Sequence, residues 1–231
     1  MLSFAQTYFP LYLQGALIGI GLTILAMSGA LAIGLVVALG RVSETVALRR
    51  LAAVYVALFR GVPPLVMIYI VYFGLPAWAA SSGIEWFRTA MLPLDNRVVS
   101  ATIALSVISG AYAAEILRAA IQAVPVEQRE AARSIGMSHL MTLRRIILPQ
   151  AFRIAFPPLG SEFIIILKGT SLVSVIGVSE LMRTAQLAAA ATFQSLTAYS
   201  FAALFYVALV IVIQIIVYLL ERWMHLPTRS A

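Results

Sequence analysis

Three charged side chains stand inside long apolar runs: Arg60 in FRGVPPL (59–65), Glu115 in AYAAEILRAAI (111–121) and Lys168 in LKGTSLVSVIG (167–177). A charge placed in hydrocarbon is expensive, so it marks either a polar pathway or a structural ion pair. Each of the three has its structural alternative. Arg60 and Lys168 can snorkel to an interface, and Glu115 and Arg118 are i, i+3 neighbours able to satisfy each other. Gly61, Pro63 and Pro64 follow Arg60, while Gly169, Thr170 and Ser171 follow Lys168. Irregular backbone at membrane depth is tolerated where it is packed in protein or lines a cavity. Glu162 is one further charge among apolar neighbours.

A second charged group lies outside the apolar runs. Only 11% of the residues are charged, yet Glu127, Arg129, Glu130, Arg133, Arg144, Arg145 and Arg153 crowd into residues 123–153. Gln128, Ala131, Ala132 and Ile135 fall at i, i+3, i+4 and i+7, the stripe of an amphipathic helix. Pro125 suits its start, and Glu127 and Glu130 complement the dipole of its first turn. Gly136 can take the left-handed conformation that ends it, and Ser138 can cap a second helix. That helix is expected to run through Leu140, Leu143 and Ile147 and to stop at Pro149, which lacks an N–H. On physics alone the stretch is either a helix–turn–helix or an amphipathic loop on the lipid surface.

The elements around these residues are membrane spans. Hydrophobic residues make up 62% of the chain and the mean hydropathy is +0.98, far above the apolar share of soluble domains. No cysteine is present, which excludes disulfides and thiolate metal sites. Residues 1–40 hold no Lys or Arg and the apolar run is too long for a signal peptide, so none is expected. The net charge of +7 does not indicate nucleic acid, because the basic residues cluster in short loops as the positive-inside rule requires.

Five crossings are expected, at about 15–39, 51–78, 98–123, 158–178 and 199–220, since a span needs roughly 20 apolar residues. Phe4, Tyr8, Phe9 and Tyr12 suit a membrane–water interface ahead of the first span. At a rise of about 1.5 Å per residue, Arg60 is placed roughly 15 Å from the inner end of the second. Gly110, Ala111, Ala113 and Ala114 allow close helix approach in the third. Arg41, Arg49, Arg50, Arg129, Arg133, Arg144, Arg145, Arg153, Arg222 and Arg229 then fall inside, against Arg88, Arg97 and Arg183 outside. This bias puts the N-terminus outside and the C-terminus inside.

At this point the residues carry a family resemblance. Glu130-Ala131-Ala132, then Gly136, then Ile147-Leu148-Pro149, resembles the EAA loop of permeases in binding-protein-dependent ABC importers. FRGVPPL, AYAAEILRAAI and LKGTSLVSVIG resemble the polar amino-acid branch, as does the start of the first span at 15–23. The sequence departs from the family pattern at Glu127, Val62 and Gly169. The resemblance implies an all-α integral membrane protein with the type I ABC importer permease fold. This is a single permease domain (1–231) of five transmembrane helices, with a cytoplasmic pair of coupling helices at about 126–148.

It further implies a bacterial inner-membrane location, import of polar or basic amino acids or close analogues by alternating access, and several partners. These are two copies of a cytoplasmic ATPase subunit, a second permease subunit (the same or a homologous chain) and a periplasmic substrate-binding protein. ATP and Mg would be bound by the ATPase, with no cofactor in this chain, which has no GxxxxGK[ST] loop. His139 and His225 are its only histidines, and no Ser-His-Asp or metal set is apparent. The expected coupling residues are Glu127, Glu130, Ala131, Ala132, Arg133, Gly136 and Ser138. The expected substrate path holds Arg60, Gly61, Pro63, Tyr112, Glu115, Lys168, Thr170 and Ser171. A zwitterion needs a cation for its carboxylate and an acceptor for its ammonium, roles that fit Arg60 or Lys168 and Glu115.

Two other readings compete. An ion-coupled secondary carrier is often built from internal repeats, and the two halves of this chain show none. A non-transporting scaffold has no use for charges inside the membrane.

Overall fold

The computed structural model describes residues 2–224, with side chains from Phe4 onward. Arg229 and His225 lie outside the described residues. The chain forms α1 (Leu2–Arg41), α2 (Val46–Gly61), α3 (Pro64–Ser81), α4 (Glu85–Met91) and α5 (Arg97–Ala123). After these come α6 (Val126–Ser134), α7 (His139–Ile176), α8 (Leu181–Thr192) and α9 (Ser195–Trp223). No strand occurs among the described residues. By length and composition α1, α3, α5, α7 and α9 can each cross a membrane, giving the expected all-α chain with five candidate spans.

The central helix is α5. Of its most apolar window 61% is buried, against 0% for α9, which lies at the periphery. Small residues set that position, because they let backbones approach where apolar lipid gives helices little reason to associate. Ala111, Ala113 and Ala114 are fully buried. A Cβ on Gly110 would lie 2.9 Å from Ile33 Cγ2, and one on Gly34 2.8 Å from Ala113 Cβ. Tyr55 on α2 adds a direct tie, its hydroxyl donating to the Val107 carbonyl of α5 at 2.6 Å.

The helix bounds differ from the expected ones in three places. The N-terminal aromatic residues do not form a separate interfacial segment; they extend the first helix, which is continuous from Leu2. Phe4 and Tyr12 are buried, Tyr12 stacks edge-on with Phe201 of α9, and its hydroxyl donates to the Ala198 carbonyl at 2.8 Å. These rings thus pack the start of α1 against α9.

The stretch 51–78 is two helices. Val62 (φ −83°, ψ 126°) and Pro63 (φ −59°, ψ 136°) are extended, because a residue before proline avoids the helical region and neither Pro63 nor Pro64 has an N–H. Arg60 therefore occupies the last turn of α2 instead of the middle of a continuous span.

The third difference concerns Pro149, which does not end its helix. Residues Leu143–Ile147 form a π-helical turn, and the helix continues through Pro149, Pro157 and Pro158 to Gly169. The wider turn relieves the contact between the proline ring and the preceding carbonyls. It joins the charged stretch to the fourth membrane helix without a break.

Candidate functional site

One part of the site is an elbow between α6 and α7. Pro125 (φ −52°, ψ 140°) starts α6, and Gly136 ends it at φ +78°, a conformation that strains residues with a side chain. Around Gly136 the Met137 N–H donates to the Ala132 carbonyl (3.0 Å) and the Gly136 N–H to the Arg133 carbonyl (2.9 Å). This paired closure is a Schellman motif. Ser138 Oγ then accepts from the Met141 N–H at 3.3 Å and caps α7.

Only part of the predicted apolar stripe packs inward. Ala132 is buried, whereas Gln128 and Ala131 are exposed and Ile135 and Leu140 are 78% and 72% exposed. Glu127, Glu130, Arg133, Gly136 and Ser138 are exposed beside them. The elbow thus presents an uncovered surface that mixes charge with apolar side chains.

Arg129, which sequence reasoning did not single out, fixes the elbow to the membrane helices. Its Nη2 donates to the Ile121 carbonyl at 2.8 Å, satisfying one of the carbonyls left open at the end of α5. A cavity of about 320 Å³ lies beside it, lined by Glu44, Arg129, His139 and apolar neighbours.

Within the helix bundle the predicted path residues fall into three groups. The Arg60 guanidinium lies over the Tyr112 ring, 5.0 Å from its centroid, so the end of α2 and the middle of α5 meet there. Gly61 and Pro63 are exposed next to it.

Glu115 forms the second group with two arginines. Arg41 Nε donates to its Oε1 at 3.1 Å, and Arg118 Nε and Nη2 donate to its Oε2 at 3.0 and 2.7 Å. Arg118 was visible in the sequence at i+3. Arg41 was not, since it comes from the end of α1 and no local spacing links it to Glu115.

Lys168, Gly169, Thr170 and Ser171 form the third group, where α7 tightens into a 3₁₀ turn at Thr170–Ile176. Lys168 is exposed, Ser171 half-buried and Thr170 fully buried. The Thr170 and Ser171 hydroxyls donate to the Leu167 and Lys168 carbonyls, both at 2.7 Å. This turn packs against α1, α3 and α5.

A further carboxyl, Glu162, is only 3% exposed and lies against the Ser109 hydroxyl between α7 and α5. It forms no ion pair among the described residues. Its signal in the sequence was a lone acid in an apolar run, with nothing to indicate the face it would take. No group of three potential metal-ligating side chains occurs among the described residues.

Comparison with known proteins gives the family and the fold. The chain is 40% identical over 218 residues to the L-cystine transport system permease protein TcyB of Bacillus subtilis, covering 94% of this chain and 88% of that one. It is 35% identical over 217 residues to the glutamine transport system permease protein GlnP of Escherichia coli K12, covering 94% of each. The fold superposes on a chain from the crystal structure of an amino acid ABC transporter with histidines, with TM-score 0.82 and 35% identity. That match covers 96% of this chain and 97% of the other. The fold is that of a type I ABC importer permease, as the EAA-loop resemblance implied. Residues 30–226 match the family model described as the binding-protein-dependent transport system inner membrane component, and the chain belongs to that family.

Proposed function

We propose that this chain is the permease subunit of an ATP-driven amino-acid importer, passing substrate from a periplasmic binding protein to the cytoplasm by alternating access. The relatives are named as permeases for cystine and glutamine, which supports polar amino acids as the substrate class. The N-terminus faces the periplasm and the C-terminus the cytoplasm. A second permease subunit, the same chain or a homologue, completes the pathway, and two copies of a separate ATPase subunit hold ATP and Mg.

The observation that carries this reading is the elbow. Its exposed face of Glu127, Glu130, Ala131, Arg133 and Ile135 is a docking surface for the ATPase. Ala132, buried, and Gly136 and Ser138, at the turn, hold that face in shape. Because α7 runs from the elbow into the membrane without a break, a tilt imposed at α6 is transmitted as a rigid-body rotation.

Substrate moves along Arg60, Gly61, Pro63 and Tyr112 on one side and Lys168 and Ser171 on the other, with Thr170 behind. Arg60 and Lys168 receive the carboxylate. Glu115, held between two arginines, borders the path as an ion-pair hub, and Glu162, a buried carboxyl with no ion pair among the described residues, receives the ammonium.

Reconstitution of the chain with its ATPase and binding protein tests the proposal. Uptake of L-cystine or L-glutamine that requires ATP and the binding protein is expected. Uptake driven by an ion gradient through the chain alone would replace it with the secondary-carrier reading.

A further inference from the structure

The connection between α1 and α2 meets the elbow at the cavity of about 320 Å³ beside Arg129. One side of this cavity is apolar. Leu39 and Val42 stand at and just past the end of α1, Ile121 near the end of α5, and Leu143 and Ile147 in the π-helical turn of α7. The rest of the lining is polar: Ser43 and Glu44 from the connection, Arg129 from α6 and His139 from the first turn of α7. No residue of the proposed substrate path lines it.

Two opposite charges share this cavity without pairing. Glu44 is exposed, and its carboxylate makes no hydrogen bond or ion pair among the described residues. Arg129 makes one hydrogen bond, from Nη2 to the Ile121 carbonyl; its Nε is buried without a partner, and its Nη1 has none among the described residues. A guanidinium carries five N–H donors, and leaving them unmet in a shielded place is unfavourable. An inorganic anion would be repelled by Glu44 and a divalent cation by Arg129. An α-amino acid satisfies both, with its carboxylate on Arg129 and its ammonium on Glu44. Its side chain then lies on the Leu, Val and Ile wall, which favours an apolar one. The volume stands at the lower end of the about 300–1,000 Å³ of small-molecule sites, as a ligand of that size requires.

We propose that this cavity is a regulatory site for a cytoplasmic α-amino acid with an apolar side chain, whose binding ties the α1–α2 connection to the elbow and slows import. The effect on import rests on the reading that the elbow faces the cytoplasm and couples the ATPase to transport. A tilt of the elbow moves Arg129, His139, Leu143 and Ile147 against Leu39, Val42 and Glu44. The ligand therefore binds one arrangement more tightly than the other and holds it.

The test uses the importer reconstituted in vesicles with its ATPase and binding protein, with L-glutamine supplied outside and L-leucine enclosed with ATP. Saturating L-leucine is expected to lower the initial rate of L-glutamine uptake about fivefold, the lower end of ordinary coupling between two sites. Enclosed 4-methylpentanoate, which lacks the ammonium, and 3-methylbutylamine, which lacks the carboxylate, are expected to leave the rate unchanged. Glu44→Gln is expected to keep the parental rate without L-leucine and to lose the response to it. Val42→Phe fills the cavity without touching a charge and is expected to lose the response as well. A full response in Glu44→Gln, or a response to enclosed L-glutamine in place of L-leucine, would overturn the proposal. Binding is read separately as the thermal midpoint of the assembled complex, expected to rise with L-leucine in the parent and not in Glu44→Gln. No rise in the parent would overturn the site, and a rise without slowed uptake would overturn its regulatory role. Uptake that needs neither ATP nor the binding protein would reject the importer reading instead, and the midpoint alone then decides the site.

Discussion

Arg41 and Glu115, 74 residues apart in the chain, meet at 3.1 Å and join the C-terminal end of α1 to α5. Arg118 closes the other carboxylate oxygen at 2.7 Å, and all three side chains are largely shielded. Removing the shared anion leaves two arginines facing each other in a poorly hydrated site. Glu115→Gln is therefore expected to cost about 2 kcal/mol, between the values for exposed and buried pairs, measured by thermal unfolding in detergent. A cycle with Arg41→Gln would show the coupling. A full-stability Glu115→Gln protein with abolished uptake would instead make Glu115 a substrate ligand.

Glu162 gives the opposite expectation. A buried carboxylate whose neighbour is a single hydroxyl contributes little to the fold, so Glu162→Gln leaves stability level or raised. In the proposed role of accepting the substrate ammonium, its loss is expected to reduce uptake by about tenfold or more, the scale of one charged hydrogen bond. Uptake within twofold of the parent would remove Glu162 from the path.

Close packing of α1 and α5 predicts a clear steric effect. Gly110→Val places a side chain where a Cβ already lies 2.9 Å from Ile33. Overpacking of this kind is expected to cost about 1–3 kcal/mol, read as a lowered thermal midpoint. Gly61→Val, at a position with open space around its Cβ, is the control and is expected to cost less.

Glu180, fully buried, accepts from the Met182 and Arg183 N–H groups at the start of α8 and from the Tyr206 hydroxyl of α9, and it carries a pH dependence. Burial pushes its carboxyl above the usual range, against the lowering effect of the Met182 and Arg183 N–H groups and the Tyr206 hydroxyl. A group whose pKa is raised on folding adds stability that is present below its unfolded value and is lost as pH rises through the folded one. The unfolding midpoint is thus expected to fall as pH climbs from the ordinary carboxylate range, near 4.5, toward neutrality. Glu180→Gln is expected to flatten that slope. Identical slopes in the two proteins would show that the carboxyl titrates normally.

What the sequence made legible follows from local chemistry. Gly136, Ser138 and Pro125 announced the elbow because caps and left-handed turns are encoded in single residues, and all three take the expected positions. The alanines of α5 announced close packing, but its partner, α1 through Gly34 and Ile33, carried no distinguishing signal. Pro149 misled because a helix-breaking residue can be absorbed by a π-turn, and nothing in Leu143–Ile147 marks one in advance. Tyr12, Arg41, Arg129 and Tyr206 were missed for one reason. Each matters through a contact that crosses the bundle, and periodicity reports only neighbours along the same helix.

The claim that the elbow couples an ATPase to transport is tested most directly at Gly136. Two variants in the reconstituted importer separate conformation from bulk: Gly136→Asn, which tolerates the left-handed region, and Gly136→Pro, which cannot enter it. The measurement is amino acid imported per ATP hydrolysed. The account predicts near-parental coupling for Gly136→Asn, and for Gly136→Pro an inserted, stable protein whose uptake is lost while ATP hydrolysis persists. Coupled uptake by Gly136→Pro would contradict it.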